Sequence, residues 1–203
     1  MVSISGKKTW IDPAGTTHPT VTIDLYRDGG ETPYKTATID NGKTEYSFTG
    51  LEKYNLTDGH EYVYTIQEKA VSGYTTSPDT GYTAKTSRDD LNFTNTIEQG
   101  LITLSGTKTW RVPEGKDIPE ITIELYRDNE TTPIKQETLS SGTTSYEFKD
   151  LAKYDLTDGH EYSYTVKEVA VTGFTTEPDS GYTGIKSSNN ELSMMIKVNS
   201  TSK

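Results

Sequence analysis

Ile4-Ser5-Gly6-Lys7-Lys8-Thr9-Trp10 opens the chain as an alternating stretch. Written as a strand, it puts Ile4, Gly6, Lys8 and Trp10 on one face, because side chains alternate with period two. Lys8 therefore points toward the same core as the tryptophan. Two further stretches carry a polar residue on an apolar face in this way. In Tyr62-Val63-Tyr64-Thr65-Ile66-Gln67-Glu68 the even face ends in Glu68, and in Leu91-Asn92-Phe93-Thr94-Asn95-Thr96-Ile97 the odd face holds Asn95 between Phe93 and Ile97. A buried amine, acid and amide make a poor core unless they satisfy or react with one another.

The opening stretch has a second copy. Gly6-Lys7-Lys8-Thr9-Trp10 recurs as Gly106-Thr107-Lys108-Thr109-Trp110, and Leu25-Tyr26-Arg27-Asp28 as Leu125-Tyr126-Arg127-Asp128. Leu56-Thr57-Asp58-Gly59-His60-Glu61-Tyr62 returns as Leu156 through Tyr162, and the ungapped match runs on to Gly181-Tyr182-Thr183. The chain thus reads as two domains, residues 1–99 and 100–203, meeting near Glu98-Gln99-Gly100. Each is the size of a β-sandwich. Val21-Thr22-Ile23-Asp24-Leu25 and Ile121-Thr122-Ile123-Glu124-Leu125 alternate cleanly, and Asp28-Gly29-Gly30, Asn41-Gly42 and Asp58-Gly59 are turn signals at strand-like intervals. No helical period is sustained. The expected class is all-β, twice.

Composition narrows the function. Only 31% of the residues are hydrophobic, while 14 tyrosines supply large half-polar rings suited to sheets. A net charge of −10, with nothing in the sequence resembling a basic patch, argues against a nucleic-acid partner. There is no cysteine, so disulfides and thiolate metal sites are excluded and an extracellular protein would need another staple. No apolar run has membrane-spanning length, and no signal peptide precedes the first strand; targeting information is expected to have been cut away. Cofactors and metals are not expected, and a monomer is. His60 and His160 follow Asp-Gly turns and read as solvated turn residues.

If Lys8, Glu68 and Asn95 meet, burial lowers the lysine pKa and raises that of the glutamate. A neutral amine is a nucleophile and a carboxamide an electrophile. A protonated Glu68 between them could polarise the carboxamide and relay protons to the departing ammonia. The second copy repeats Lys108 and Glu168 but breaks the pattern at its end: Met195 falls where Asn95 would recur. Leu192, Met194, Ile196 and Val198 form the apolar face of that last stretch, with no amide in it. Asn199 is the nearest downstream acceptor, one residue out of phase, and its use requires a four-residue insertion plus a bulge.

Lys-Thr-Trp near the start, Tyr-Thr-Ile-Gln-Glu late and Phe-Thr-Asn-Thr at the end together resemble the B-type (CnaB) repeats of the collagen-binding adhesin of Gram-positive cocci, a family that includes pilin domains. The resemblance spans copy one and copy two up to its last strand. It implies an inverse immunoglobulin-like sandwich with a spontaneous Lys–Asn isopeptide bond between first and last strands. Lys8 is then the nucleophile, Asn95 the acceptor and Glu68 the proton-shuttling acid; Lys108 and Glu168 match in copy two, with Asn199 as candidate acceptor. It also implies a structural stalk of a surface adhesin or pilus-like fibre, extracellular and anchored to the cell wall, with neighbouring domains as partners. A host matrix protein or glycan would be met through a head outside this sequence.

Bland readings stand beside these. Lys8 could snorkel to water, Glu68 could pair with a surface lysine, and Asn95 could cap a strand end. The alternative function is a sandwich that binds carbohydrate or matrix protein through exposed Tyr and Trp, with Trp10 and Trp110 as platforms instead of core anchors. A hydrolase with Glu68 as acid lacks a second carboxylate in any comparable motif.

Overall fold

The computed structural model describes residues 1–187 and the backbone of residues 196–202. The chain divides into two compact units, Met1–Glu98 with Leu156–His160, and Gln99–Asp155 with Glu161–Lys203. Both are all-β, as the alternation predicts, and among the described residues no helix is long and apolar enough to cross a membrane.

In the first unit β1 (Val2–Ile11), β4 (Glu45–Leu51), β6 (Tyr74–Ser77) and β8 (Phe93–Ile97) form one sheet in the order β4-β1-β8-β6. The facing sheet orders β2 (Val21–Arg27), β3 (Lys35–Ile39), β5 (Tyr64–Glu68) and β7 (Tyr82–Ala84) as β3-β2-β5-β7. The pairings β1–β4 and β6–β8 are antiparallel, but β1 and β8 run parallel, with Lys8 opposite Phe93 and Trp10 opposite Asn95. A parallel pair needs a long crossover, and the intervening chain supplies the second sheet. The architecture is an immunoglobulin-like sandwich.

The period-two reading of the opening stretch holds along β1: Val2, Ile4, Gly6 and Lys8 are buried, while Ser3, Lys7 and Thr9 are exposed. Val2 and Ile4 join Ile23, Leu25, Tyr64, Ile66, Leu91 and Phe93 in a core between the sheets. Tyrosine makes up for the scarce aliphatics. The Tyr64 hydroxyl donates to Glu52 O at 2.7 Å and that of Tyr46 to Leu91 O at 2.6 Å, so each ring is buried with its polar tip satisfied. Gly6 is needed for close approach, since a Cβ there would lie 1.9 Å from Leu91 O. That approach brings the final strand against β1 just before Phe93 pairs with Lys8.

The second unit repeats the plan. β9 (Leu101–Arg111), β12 (Ser145–Ala152), β14 (Phe174–Glu177) and β16 (Ile196–Ser202) are ordered β12-β9-β16-β14. The sheet facing them, β11-β10-β13-β15, is built from β10 (Ile121–Arg127), β11 (Lys135–Leu139), β13 (Tyr164–Glu168) and β15 (Tyr182–Ile185). Its core assembles Ile102, Leu104, Ile123, Leu125, Tyr164 and Val166 from both sheets.

Candidate functional site

Three strands deliver the first copy's polar trio: Lys8 from β1, Glu68 from β5 in the opposite sheet, and Asn95 from β8. Lys8 is 3% and Asn95 0% exposed, and the Lys8 and Glu68 side chains are wholly sequestered. Lys8 Nζ stands 3.6 Å from Glu68 Oε2, donates to Thr9 O at 3.2 Å, and lies 4.3 Å from the centroid of the Trp10 ring. Thr76 Oγ1 donates to Glu68 Oε1 at 3.5 Å. Both amide atoms of Asn95, and Glu68 Oε2, lack a hydrogen-bond partner among the described residues. The snorkelling, surface-pair and strand-cap readings do not fit such burial.

Electrostatics push the pair toward neutrality. Burial holds the Lys8 amine down to about 8, against the opposing attraction of Glu68. Burial also raises the Glu68 carboxyl, partly offset by Lys8 and by the approach of the Asn95 amide. A sequestered Asn95 amide with no hydrogen-bond partner among the described residues is a costly feature for a purely structural core.

These directions have a measurable consequence in Asn95→Ala, which leaves the buried Lys8 and Glu68 in place. Between about 8 and 10.5 the unfolded chain binds the Lys8 proton and the native chain does not, so this group makes stability rise with pH. Above 4.5 the raised Glu68 keeps its proton in the native state, so its contribution falls with pH through its folded pKa. If Lys8 is joined to Asn95 in the parent, urea denaturation of Asn95→Ala should show a dip in stability between the two windows that the parent lacks. Parallel pH profiles for the two proteins would contradict the assignment.

In the second copy Lys108 Nζ lies 2.8 Å from Glu168 Oε2, with both side chains fully sequestered, and 4.3 Å from the Trp110 centroid. Burial again lowers the lysine pKa, opposed by Glu168. Thr176 Oγ1 donates to Glu168 Oε1 at 3.0 Å. The closing strand differs. Met195 lies outside the described residues, and only the backbone register bears on Asn199. In copy one Asn95 pairs with Trp10 on one side and Thr76 on the other. In copy two the residue paired with Trp110 and Thr176 is Ser200, while Asn199 pairs with Thr109 and Glu177. The pairing of β16 with β9 runs without interruption from Ile196 to Thr201, so no bulge re-aims Asn199 there.

Trp10 and Trp110 pack on their cores, in keeping with anchors. His60 is more than a solvated turn residue: its ring nitrogens lie 2.6 Å from Asp58 and 2.9 Å from Asp28. Those two bonds, Asp28 first, raise its pKa. Among the described residues Asp155, Asp158 and His160 have ligand atoms within 4.8 Å of one another, a solvent-facing group to which no metal is assigned. Thr76 and Thr176 escaped the sequence reading, although their recurrence in Tyr74-Thr75-Thr76 and Phe174-Thr175-Thr176 was a visible signal.

The model of the Cna protein B-type domain matches residues 4–96 and 104–189. A collagen adhesin of Staphylococcus aureus is 31% identical over 162 residues, covering 77% of this chain but 13% of that protein. Among solved structures, two B repeat units of the collagen binding protein of S. aureus are 26% identical, covering all of this chain and 49% of theirs, with a TM-score of 0.37. The minor pilin GBS52 of Streptococcus agalactiae is 11% identical over 100% of this chain and 97% of its own, also at a TM-score of 0.37. The chain belongs to the Cna protein B-type domain family and carries that domain in two tandem copies.

Proposed function

We propose that this chain is a pair of stalk repeats from a larger Gram-positive surface adhesin or pilus-like protein, and that its first copy staples itself with a Lys8–Asn95 isopeptide bond. The observation that carries the reading is the sequestered trio, in which Glu68 touches the amine and an otherwise unbonded amide fills the third corner. The neutral Lys8 Nζ attacks Asn95 Cγ; the Nζ–Cγ bond forms and the Cγ–Nδ2 bond breaks. Glu68 gives a proton to the carboxamide oxygen, takes one from the amine and passes it to the leaving nitrogen, which departs as ammonia, while the oxygen returns its proton to Glu68 as the new amide carbonyl re-forms. Atoms balance without oxidant or cofactor, and the event occurs once per molecule. Holding the reactants in a fixed core supplies on the order of 7–11 kcal/mol if the geometry is near-attack.

The product joins the first strand to the last, where tension along a stalk enters and leaves the domain. In copy two Lys108 and Glu168 are set for the same chemistry, but Asn199 becomes the acceptor only if β16 slides by one residue relative to β9. The neighbours are further domains of the same surface protein, and any matrix protein or glycan is met by a part outside this sequence. The location proposed is outside the cell, on the wall. Intact mass of the full chain tests the reading by counting ammonias lost. One is expected, with a digest peptide joining Lys8 to Asn95; an unaltered mass removes the proposal.

A further inference from the structure

What holds Trp10 over the Lys8 amine is polar. The His18 imidazole lies flat on the indole, with centroids 4.1 Å apart and planes 8° from parallel, and Tyr74 meets it edge-on at 4.8 Å. Both are tied to one carboxylate: His18 Nε2 lies 2.7 Å from Asp12 Oδ2, and the Tyr74 hydroxyl donates to the same oxygen at 2.7 Å. The Asp12 side chain is only 7% exposed. In copy two all three positions are apolar: Val112, Ile118 and Phe174. Phe174 keeps the edge contact with Trp110 at 5.1 Å, and the lysine–indole distance is unchanged. The polar cluster is therefore not needed to hold a tryptophan over a buried lysine in this fold.

Resting on the Lys8–Asn95 reading above, we propose that Asp12, fixed by His18 and Tyr74, is a positioning residue whose negative charge restrains the Lys8 amine and sets the rate at which the first copy closes. Asp12 attracts the protonated amine and so opposes the effect of burial. The leading influences on Glu68 are burial, Lys8, Asn95 and Thr76. A negative charge near the pair favours the ammonium form of the amine. With one proton shared between them, Asp12 favours Lys8 ammonium with Glu68 carboxylate over the neutral pair that reacts. Around the amine, β5 brings Glu68, the loop after β1 carries Asp12 with its partner His18, and β6 carries Thr76 against Glu68 and Tyr74 against Trp10. Tyr46 on β4 lies near Glu68, and β8 presents the neutral Asn95 and Phe93.

The test is the rate of ammonia loss against pH. Full-length chain assembled synthetically, and held unreacted in guanidinium chloride, is diluted into buffers spanning the Lys8 titration, quenched in acid and weighed. Asp12→Asn keeps the shape and removes the charge; it should close about threefold faster across the pH plateau, with the alkaline limb moved to lower pH. Asp12→Glu should restore the parent profile. A merely structural clamp predicts the opposite, since a loosened roof slows closure and leaves the limb in place; that result overturns the proposal. Should Asp12→Asn fold poorly, the combined Asp12→Val, His18→Ile, Tyr74→Phe chain installs the roof that copy two already accommodates, and the same acceleration is expected. A parent that loses no ammonia at any pH overturns the cross-link itself, whereas a parent that closes with a profile identical to Asp12→Asn overturns only the role of Asp12.

Discussion

Glu68→Ala should weigh one ammonia more than the parent once the substitution is allowed for, and its first copy should melt far lower. The proposed Lys8–Asn95 cross-link would close a loop of about 90 residues, which by the chain-entropy argument is worth about 4.5 kcal/mol. For a domain of about 100 residues each kcal/mol moves the melting temperature by roughly 4–8 °C, so a fall of roughly 20 °C or more is expected. Alanine also leaves the sequestered Lys8 without its partner, adding about 3–5 kcal/mol of destabilisation. Glu68→Gln separates the two effects, because it keeps the shape but cannot relay a proton. Calorimetry of the full chain, with trypsin digestion in parallel, reads the outcome. Equal masses and equal melting for the parent and both variants would show that no covalent tie exists.

Ser200→Asn should add a second ammonia loss. Ser200 takes the register position in copy two that Asn95 takes in copy one, between the strand carrying Lys108 and the strand carrying Thr176. Lys108 and Glu168 are already in contact, so an amide at that register position would complete the same trio as in copy one. The variant should lose two ammonias to the parent's one, and the melting of copy two should rise by roughly 20 °C on the same loop-closure argument. Adding Glu168→Gln should abolish the second loss. Two ammonias from the unaltered chain would instead mean that Asn199 reaches the amine through a shifted register.

The phase of the trio was legible because it needs only local information. Alternation along Ile4–Trp10, Tyr62–Glu68 and Leu91–Ile97 decides which side chains turn inward, and burial of Lys8, Ile66 and Asn95 follows it. Duplication at a fixed offset carried that reading into copy two as far as Glu168. What local pattern could not supply was pairing between distant strands. The parallel union of β1 and β8, and the Ser200–Trp110 pairing five residues beyond the ungapped match, depend on contacts made in space. The Asp12–His18–Tyr74 cluster was hidden for the same reason, since its members lie on a loop and a strand far apart in the chain. His60 is exposed, as its turn sequence suggests, but a turn sequence does not reveal that Asp28 comes back to meet it.

The parallel direction of β1 and β8 has a mechanical corollary. The chain enters β1 at one end of the sheet and leaves β8 at the other, so stretching a copy by its ends drags these neighbours lengthwise past one another. The ladder from Lys8–Phe93 to Ile11–Thr96 is then loaded in shear, its hydrogen bonds sharing the pull. An antiparallel pair held at adjacent ends would instead unzip one rung at a time. Even before any bond closes, this strand order gives each repeat a stiff, brittle response to extension instead of a gradual peel.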